Sequence, residues 1–198
     1  MAEGSTQPPN ATRFIETTRG ILSYAQLAPL LAERVLRVQE DLEDSAFADS
    51  PLDEQLLQEL HRRICGDLIP DWAGRFRLIE VQVGQHTPIS PHQVPAQIRD
   101  YCADLVVRMG GISSDASLLE TLAFAEGRLL SIHPFTDFNG RITRLFLCEI
   151  LRRLNLPPVE LAPSNPAATQ HYLSALRSGD RLDWGPLIEF WKNRFENA

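Results

Sequence analysis

Between residues 133 and 144 the chain reads HPFTDFNGRITR, which concentrates the residue types that phosphate chemistry uses. His133 can take a proton from an attacking hydroxyl near neutral pH. Asp137 is a hard carboxylate of the kind that holds Mg²⁺ beside phosphates. Asn139 and Gly140 can form a turn whose backbone N–H groups converge on an anion. Arg141 and Arg144 are three residues apart, so both leave one side of a first helical turn, and a guanidinium grips phosphate oxygens in pairs. Together they fit a site that binds a nucleotide polyphosphate with Mg²⁺ and activates a nucleophile. Any one of them alone would be explained by a polar helix start with His133 bonded to a backbone carbonyl.

Such a site needs a helix on each side of the loop. Leu118, Leu122, Ala125, Leu129 and Ile132 form one apolar stripe before it, which predicts a helix ending near His133. The predicted loop spans His133 to Gly140. The helix after it starts near Arg141 and is apolar nearly all round from Leu145 to Leu154, as a buried central helix is. Further out, Leu27, Leu30, Leu31, Val35, Val38 and Leu42 predict a helix over Thr12–Leu42. Ser50 as N-cap with Pro51 behind it predicts the start of DEQLLQELHRRI. Ile79, Val81 and Val83 alternate with Glu80 and Gln82, the one convincing strand signal. Helix resumes from Val94, and a last one covers Trp184–Phe195. The expected fold is mainly all-α with one β insertion. Residues 1–11 read as a polar tail.

The 198 residues suit one domain with a real core, and 43% hydrophobic and 23% charged residues are ordinary for a globular chain. A net charge of -7 argues against a nucleic-acid binder. No apolar run reaches the ~18 residues of a membrane span, and MAEGSTQPPN lacks the features of a signal peptide. Cys65, Cys102 and Cys148 are scattered, as reduced structural thiols are. The expectation is a cytoplasmic protein off the membrane, with the oligomeric state open, a homo-oligomer included. His61, His86 and His92 form no metal-ligand spacing and read as incidental, although His86 and Thr87 could line the flap.

HPFTDFNGRITR resembles the signature of the Fic (filamentation induced by cAMP) family, H-x-F-x-(D/E)-G-N-(G/K)-R-x-x-R. Seven of its eight specified positions match: His133, Phe135, Asp137, Asn139, Gly140, Arg141 and Arg144. PDWAGRFR and the residues after it resemble the family's flap region, and GPLIEFW resembles the end of its core. The resemblance implies a helical bundle around a central helix–loop–helix with a β-hairpin flap, the core being 46–198 and the region before it 1–45. It implies transfer of AMP from ATP to a Ser, Thr or Tyr hydroxyl of a target protein. His133 is then the base, Asp137 holds Mg²⁺, and Asn139, Gly140, Arg141 and Arg144 bind phosphates. Phe135 anchors the loop in the core, and Tyr172 matches a tyrosine lining the adenine pocket. Phe138 stands in place of the family's glycine; a negative φ is expected there, with the ring altering how phosphates or metal sit. That departure leaves a different nucleotide or phosphate-linked group as a second reading. A non-catalytic nucleotide-binding module is a third, which needs neither His133 nor Asp137. Finally, Thr12, Ile15 and Glu16 resemble part of the family's inhibitory helix, (S/T)-x-x-x-E-(G/N). This implies self-inhibition through Glu16, with Glu196 near the C-terminus as a rival.

Overall fold

In the computed structural model, residues 14–163 and 165–198 are described. The predicted start of the first helix at Thr12 lies outside them, as does the predicted tail at 1–11. The chain enters through two short antiparallel strands, β1 (Phe14–Thr17) and β2 (Gly20–Ser23), paired from Phe14↔Ser23 to Thr17↔Gly20. Helix was expected here, and the reason it fails is local. Gly20 has φ +91°, a left-handed conformation that glycine adopts without strain. Thr17 Oγ1 donates to the Gly20 carbonyl at 2.7 Å and so closes the turn. Ser23 then caps α1 (Tyr24–Glu43), and Gln26 reaches back to it in a capping box.

α1 packs along α2 (Glu54–Cys65) and α5 (Asn139–Arg153), which joins the N-terminal region to the core. The cap of α2 is Asp53, whose carboxylate accepts from the N–H groups of Gln55 and Leu56, and not the expected Ser50. An acid in that place suits the positive end of the helix, and the turn begins where its side chain can bond. α3 (Val94–Gly110), α4 (Asp115–Ile132), α6 (Pro166–Gly179) and α7 (Gly185–Glu196) complete the bundle. α4 and α5 run through its middle, and Leu145, Phe146, Leu147, Ile150 and Leu151 of α5 are all buried. Gly127 shows how tightly α4 is packed: a Cβ there would stand 2.6 Å from the Trp184 ring.

The expected strand over 79–83 is not a regular strand. The flap at 78–90 is an extended loop carrying one bridge, Val83↔His86, about a turn in which Gly84 has φ +60°. With Leu78 90% and Ile79 56% exposed, the alternation there marks side chains that lack a core to pack on.

Candidate active site

α4 ends at His133, which takes φ +53° as its C-cap and turns the chain sharply into the loop. Its Nδ1 faces the Leu130 carbonyl at 3.3 Å. A carbonyl only accepts, so that contact places the proton on Nδ1 and leaves Nε2 as the basic nitrogen.

The loop is braced from below by buried polar groups. Asn139 is 3% exposed, and its side-chain amide accepts from the Phe135 N–H and donates to the Phe135 carbonyl, both at 2.9 Å. Its side chain therefore shapes the loop. His61, expected to be incidental, is fully buried and stacks on Phe135 with ring centroids 4.1 Å apart. Its Nδ1 accepts from the Gly74 N–H at 2.8 Å, so Nε2 carries the proton and donates to the Asp137 carbonyl at 3.3 Å. Burial lowers its pKa to about 4, only partly offset by that bond, so His61 is neutral in the fold. Arg77 is a second brace that sequence reasoning missed. It is 1% exposed and donates to the carbonyls of His133 (2.8 Å), Ile79 (3.1 Å) and Ile89, while its own N–H donates to the Pro134 carbonyl. Thus one guanidinium ties the flap to the loop. The signal available was a charged residue inside the apolar-flanked run AGRFRLI.

Phe138 departs from expectation. Its φ is +61°, not negative, and it is the N-cap of α5. An L-residue there costs about 1–2 kcal/mol. Burial holds it: the ring is 4% exposed and stacks on Trp72 at 5.5 Å, with His61 at 6.1 Å. The ring thus faces the core, and reaches the phosphate side only through Arg141, whose Cζ lies 5.8 Å from its centroid.

Above this floor the polar groups converge. The first N–H groups of α5, at Asn139 and Gly140, head a helix whose N-terminus favours anions. A Cβ on Gly140 would lie 3.7 Å from Arg144 Nη1, so Arg144 spans the helix start. Arg141 Nη1 donates to the Tyr24 hydroxyl at 2.6 Å, a contact from α1 that no motif announced. Asp137 Oδ1 accepts from the Phe138 N–H at 2.7 Å. Among the described residues no group of three or more His, Cys, Asp or Glu could hold a metal alone. A lone carboxylate beside a phosphate site fits Mg²⁺, which takes few protein ligands and completes its shell with phosphate oxygens and water.

Tyr172 lies in a buried network beside this site. Its hydroxyl donates to Glu126 at 2.6 Å, and Arg194 pairs with the same carboxylate at 2.6 Å. Burial and then the Glu126 charge push its phenol well above its ordinary range, against the smaller opposing effects of Arg194 and then Arg144. Glu16 is exposed on β1, across from Ile21, and not in a helix docked on the phosphate side. The inhibitory helix expected at this position is therefore not formed. Glu196 ends α7 and is exposed as well.

A model of the Fic/DOC family matches residues 51–151, just over half of the chain. The chain belongs to the Fic/DOC family. It is 36% identical over 132 residues to the protein adenylyltransferase fic-1 of Caenorhabditis elegans, covering 67% of this chain and 25% of that relative. It is 31% identical over 188 residues to the protein adenylyltransferase Fic of Nematostella vectensis, covering 90% and 42%. The chain thus spans between a quarter and about two fifths of the length of these curated relatives. A Fic-1 structure from C. elegans superposes with a TM-score of 0.66 at 29% identity, over 85% of this chain and 48% of that one. The BepC protein of Bartonella tribocorum, solved with bound AMPPNP, superposes with a TM-score of 0.72 at 15% identity over 93% of both chains, a likeness of fold alone. Among the described residues, no helix is long and apolar enough to cross a membrane.

Proposed function

We propose that this chain is a protein adenylyltransferase that moves AMP from ATP to a Ser, Thr or Tyr hydroxyl of a target protein. The observation that carries this reading is His133, with Nδ1 on the Leu130 carbonyl, standing before a helix start that bears Arg141 and Arg144. The target hydroxyl gives its proton to Nε2 of His133, and its oxygen forms a bond to the α-phosphorus. The bond from that phosphorus to the bridging oxygen breaks, and pyrophosphate leaves. The N–H groups of Asn139 and Gly140, with Arg141 and Arg144, hold the phosphates and the charge that develops on them. Asp137 would hold Mg²⁺, whose chemistry when bound is to neutralise the polyphosphate. The Tyr172 ring, fixed by Glu126 and Arg194, would border the adenine. Relatives named protein adenylyltransferase, and Bartonella Fic-domain structures solved with AMPPNP and with ADP, support the choice of nucleotide. Phe138, packed inward, supplies no ground for another donor. Free thiols pushed up by burial, Cys65 and Cys102 to about 12, suit a reducing compartment such as the cytoplasm.

The experiment is transfer of label from ATP carrying it at the α or the γ position, with the other three nucleoside triphosphates in parallel. Label from the α position alone is expected on protein. His133→Ala should cut transfer by roughly 10²–10⁴ while ATP binding by calorimetry persists. Equal transfer by mutant and parent would sink the role of His133, and preferred use of another triphosphate would replace ATP as donor.

A further inference from the structure

The flap is joined to the bundle at a second point beyond Arg77. His86, in the one bridge the flap contains, reaches down between α4 and α6. Its Nε2 lies 2.9 Å from the Ser131 carbonyl, in the last turn of α4 and two residues before His133. Its Nδ1 lies 3.2 Å from Oδ2 of Asp180, the residue that ends α6. Both partners are acceptors. A neutral imidazole has one N–H and can serve only one of them, whereas the imidazolium donates to both. From this pairing we propose that His86 and Asp180 are positioning residues. As imidazolium and carboxylate they latch the flap across the ends of α4 and α6, beside the base, and so set the flap for the acceptor chain.

The other charged or titratable groups on the elements around His86 are Glu80 on the flap with Arg77 just before it, Asp115, Glu120, Glu126 and Arg128 on α4 with His133 as its cap, and His171 and Tyr172 on α6. Arg177, Arg181 and Asp183 flank Asp180. The carboxylate of Asp180 is the one in contact with the ring, and the Ser131 carbonyl faces its other nitrogen. Loss of the His86 proton leaves one acceptor unserved and loosens the latch. The consequence rests on the adenylyl-transfer reading: transfer to protein falls toward alkaline pH for a reason separate from the base, since His133 must be neutral to work. ATP binding, held by the loop and α5, does not follow the latch.

Two measurements on the full chain test this independently of each other. In ¹⁵N NMR without nucleotide, followed over a pH series, the amides of Val83, Gly84 and Gln85 should shift together with the His86 ring nitrogens. Asp180→Asn should abolish that coupling. Its amide can donate to neutral Nδ1 while Nε2–H stays on Ser131, so the latch survives deprotonation. In the transfer assay, His86→Ala should lower kcat/KM for the protein acceptor by roughly tenfold, the lower end for a charge-assisted bond, with ATP affinity unchanged. Asp180→Asn should flatten the alkaline fall and keep the rate. If the flap amides ignore the His86 titration, or if Asp180→Asn titrates as the parent does, the latch is wrong whatever the chain transfers. If the NMR coupling is present and no AMP is transferred at any pH, the failure lies in the functional reading, and the latch stands.

Discussion

The loop at 133–138 and the flap at 78–90 lie side by side, yet they are held in opposite ways. The loop sits in left-handed conformations at both ends, His133 at φ +53° and Phe138 at +61°. Buried groups compensate: Asn139 bonds both backbone atoms of Phe135, His61 stacks beneath it, and the Phe138 ring fills the space beside Trp72. Strain of this kind persists only where surrounding structure over-determines it. The flap has one bridge, two clips to the bundle and exposed apolar side chains at Leu78 and Ile79. A site for a small, fixed nucleotide needs the first kind of support. A surface that must meet a protein chain needs backbone groups still open to pairing, which the second kind leaves available.

The largest expected effect breaks the loop's floor with acid. His61 is neutral in the fold, with a pKa lowered from 6.5 to about 4 by burial. The unfolded chain binds that proton first, so its contribution to stability is intact above pH 6.5 and is lost as pH falls toward 4. The difference corresponds to roughly 3 kcal/mol. Urea unfolding at pH 7 and pH 4.5 should show the loss in the parent. In His61→Gln, whose amide can accept from Gly74 and donate to Asp137 without titrating, the loss should be smaller by about that amount. Parallel pH curves for the two proteins would mean that His61 does not bear on the loop.

A smaller effect is expected from Phe138→Gly. Glycine relieves the left-handed φ, about 1–2 kcal/mol, but emptying the space of a buried phenylalanine costs about 3–5 kcal/mol. Packing wins by these magnitudes, and the variant should be less stable by about 2 kcal/mol, read as a lower urea midpoint. The choice of nucleotide should stay the same, because the ring faces Trp72 and not the phosphates. A variant more stable than the parent would show that strain, and not packing, governs this position.

The candidate site is legible because its residues sit together in the sequence: one helix end, one loop and one helix start bring His133, Asp137, Gly140, Arg141 and Arg144 into a single stretch. Apolar patterning likewise predicts α4 and α5. What stayed hidden depends on contacts distant in sequence. Nothing local in LHRRI distinguishes a histidine that holds a loop 76 residues away, and Tyr24 meets Arg141 across 117 residues. The N-terminal hairpin could have been found, since Thr-Thr-Arg-Gly is a turn and Ser23 with Gln26 is a capping box. Apolar spacing further along α1 points to helix and masks that turn. In the flap the alternation was real, but a strand also needs a neighbour, and this one has a single bridge.

The smallest effect on the fold should come from Val81→Pro, which separates the two regions most clearly. The bonds that hold the flap fall at Val83, His86 and the Arg77 clip, and a proline at 81 leaves them in place. Val81 is partly exposed, so stability should change by no more than about 0.5 kcal/mol. The ATP dissociation constant should be unchanged, since the groups proposed to hold it lie on the loop and α5. Modification of a protein acceptor should nevertheless fall, because proline removes an N–H that an added strand would use and fixes the backbone against pairing. Calorimetry with ATP, urea unfolding and the transfer assay on one preparation decide it. If ATP binding and protein modification fall together, the flap is part of the nucleotide site, and the division between a braced loop and an open flap does not hold.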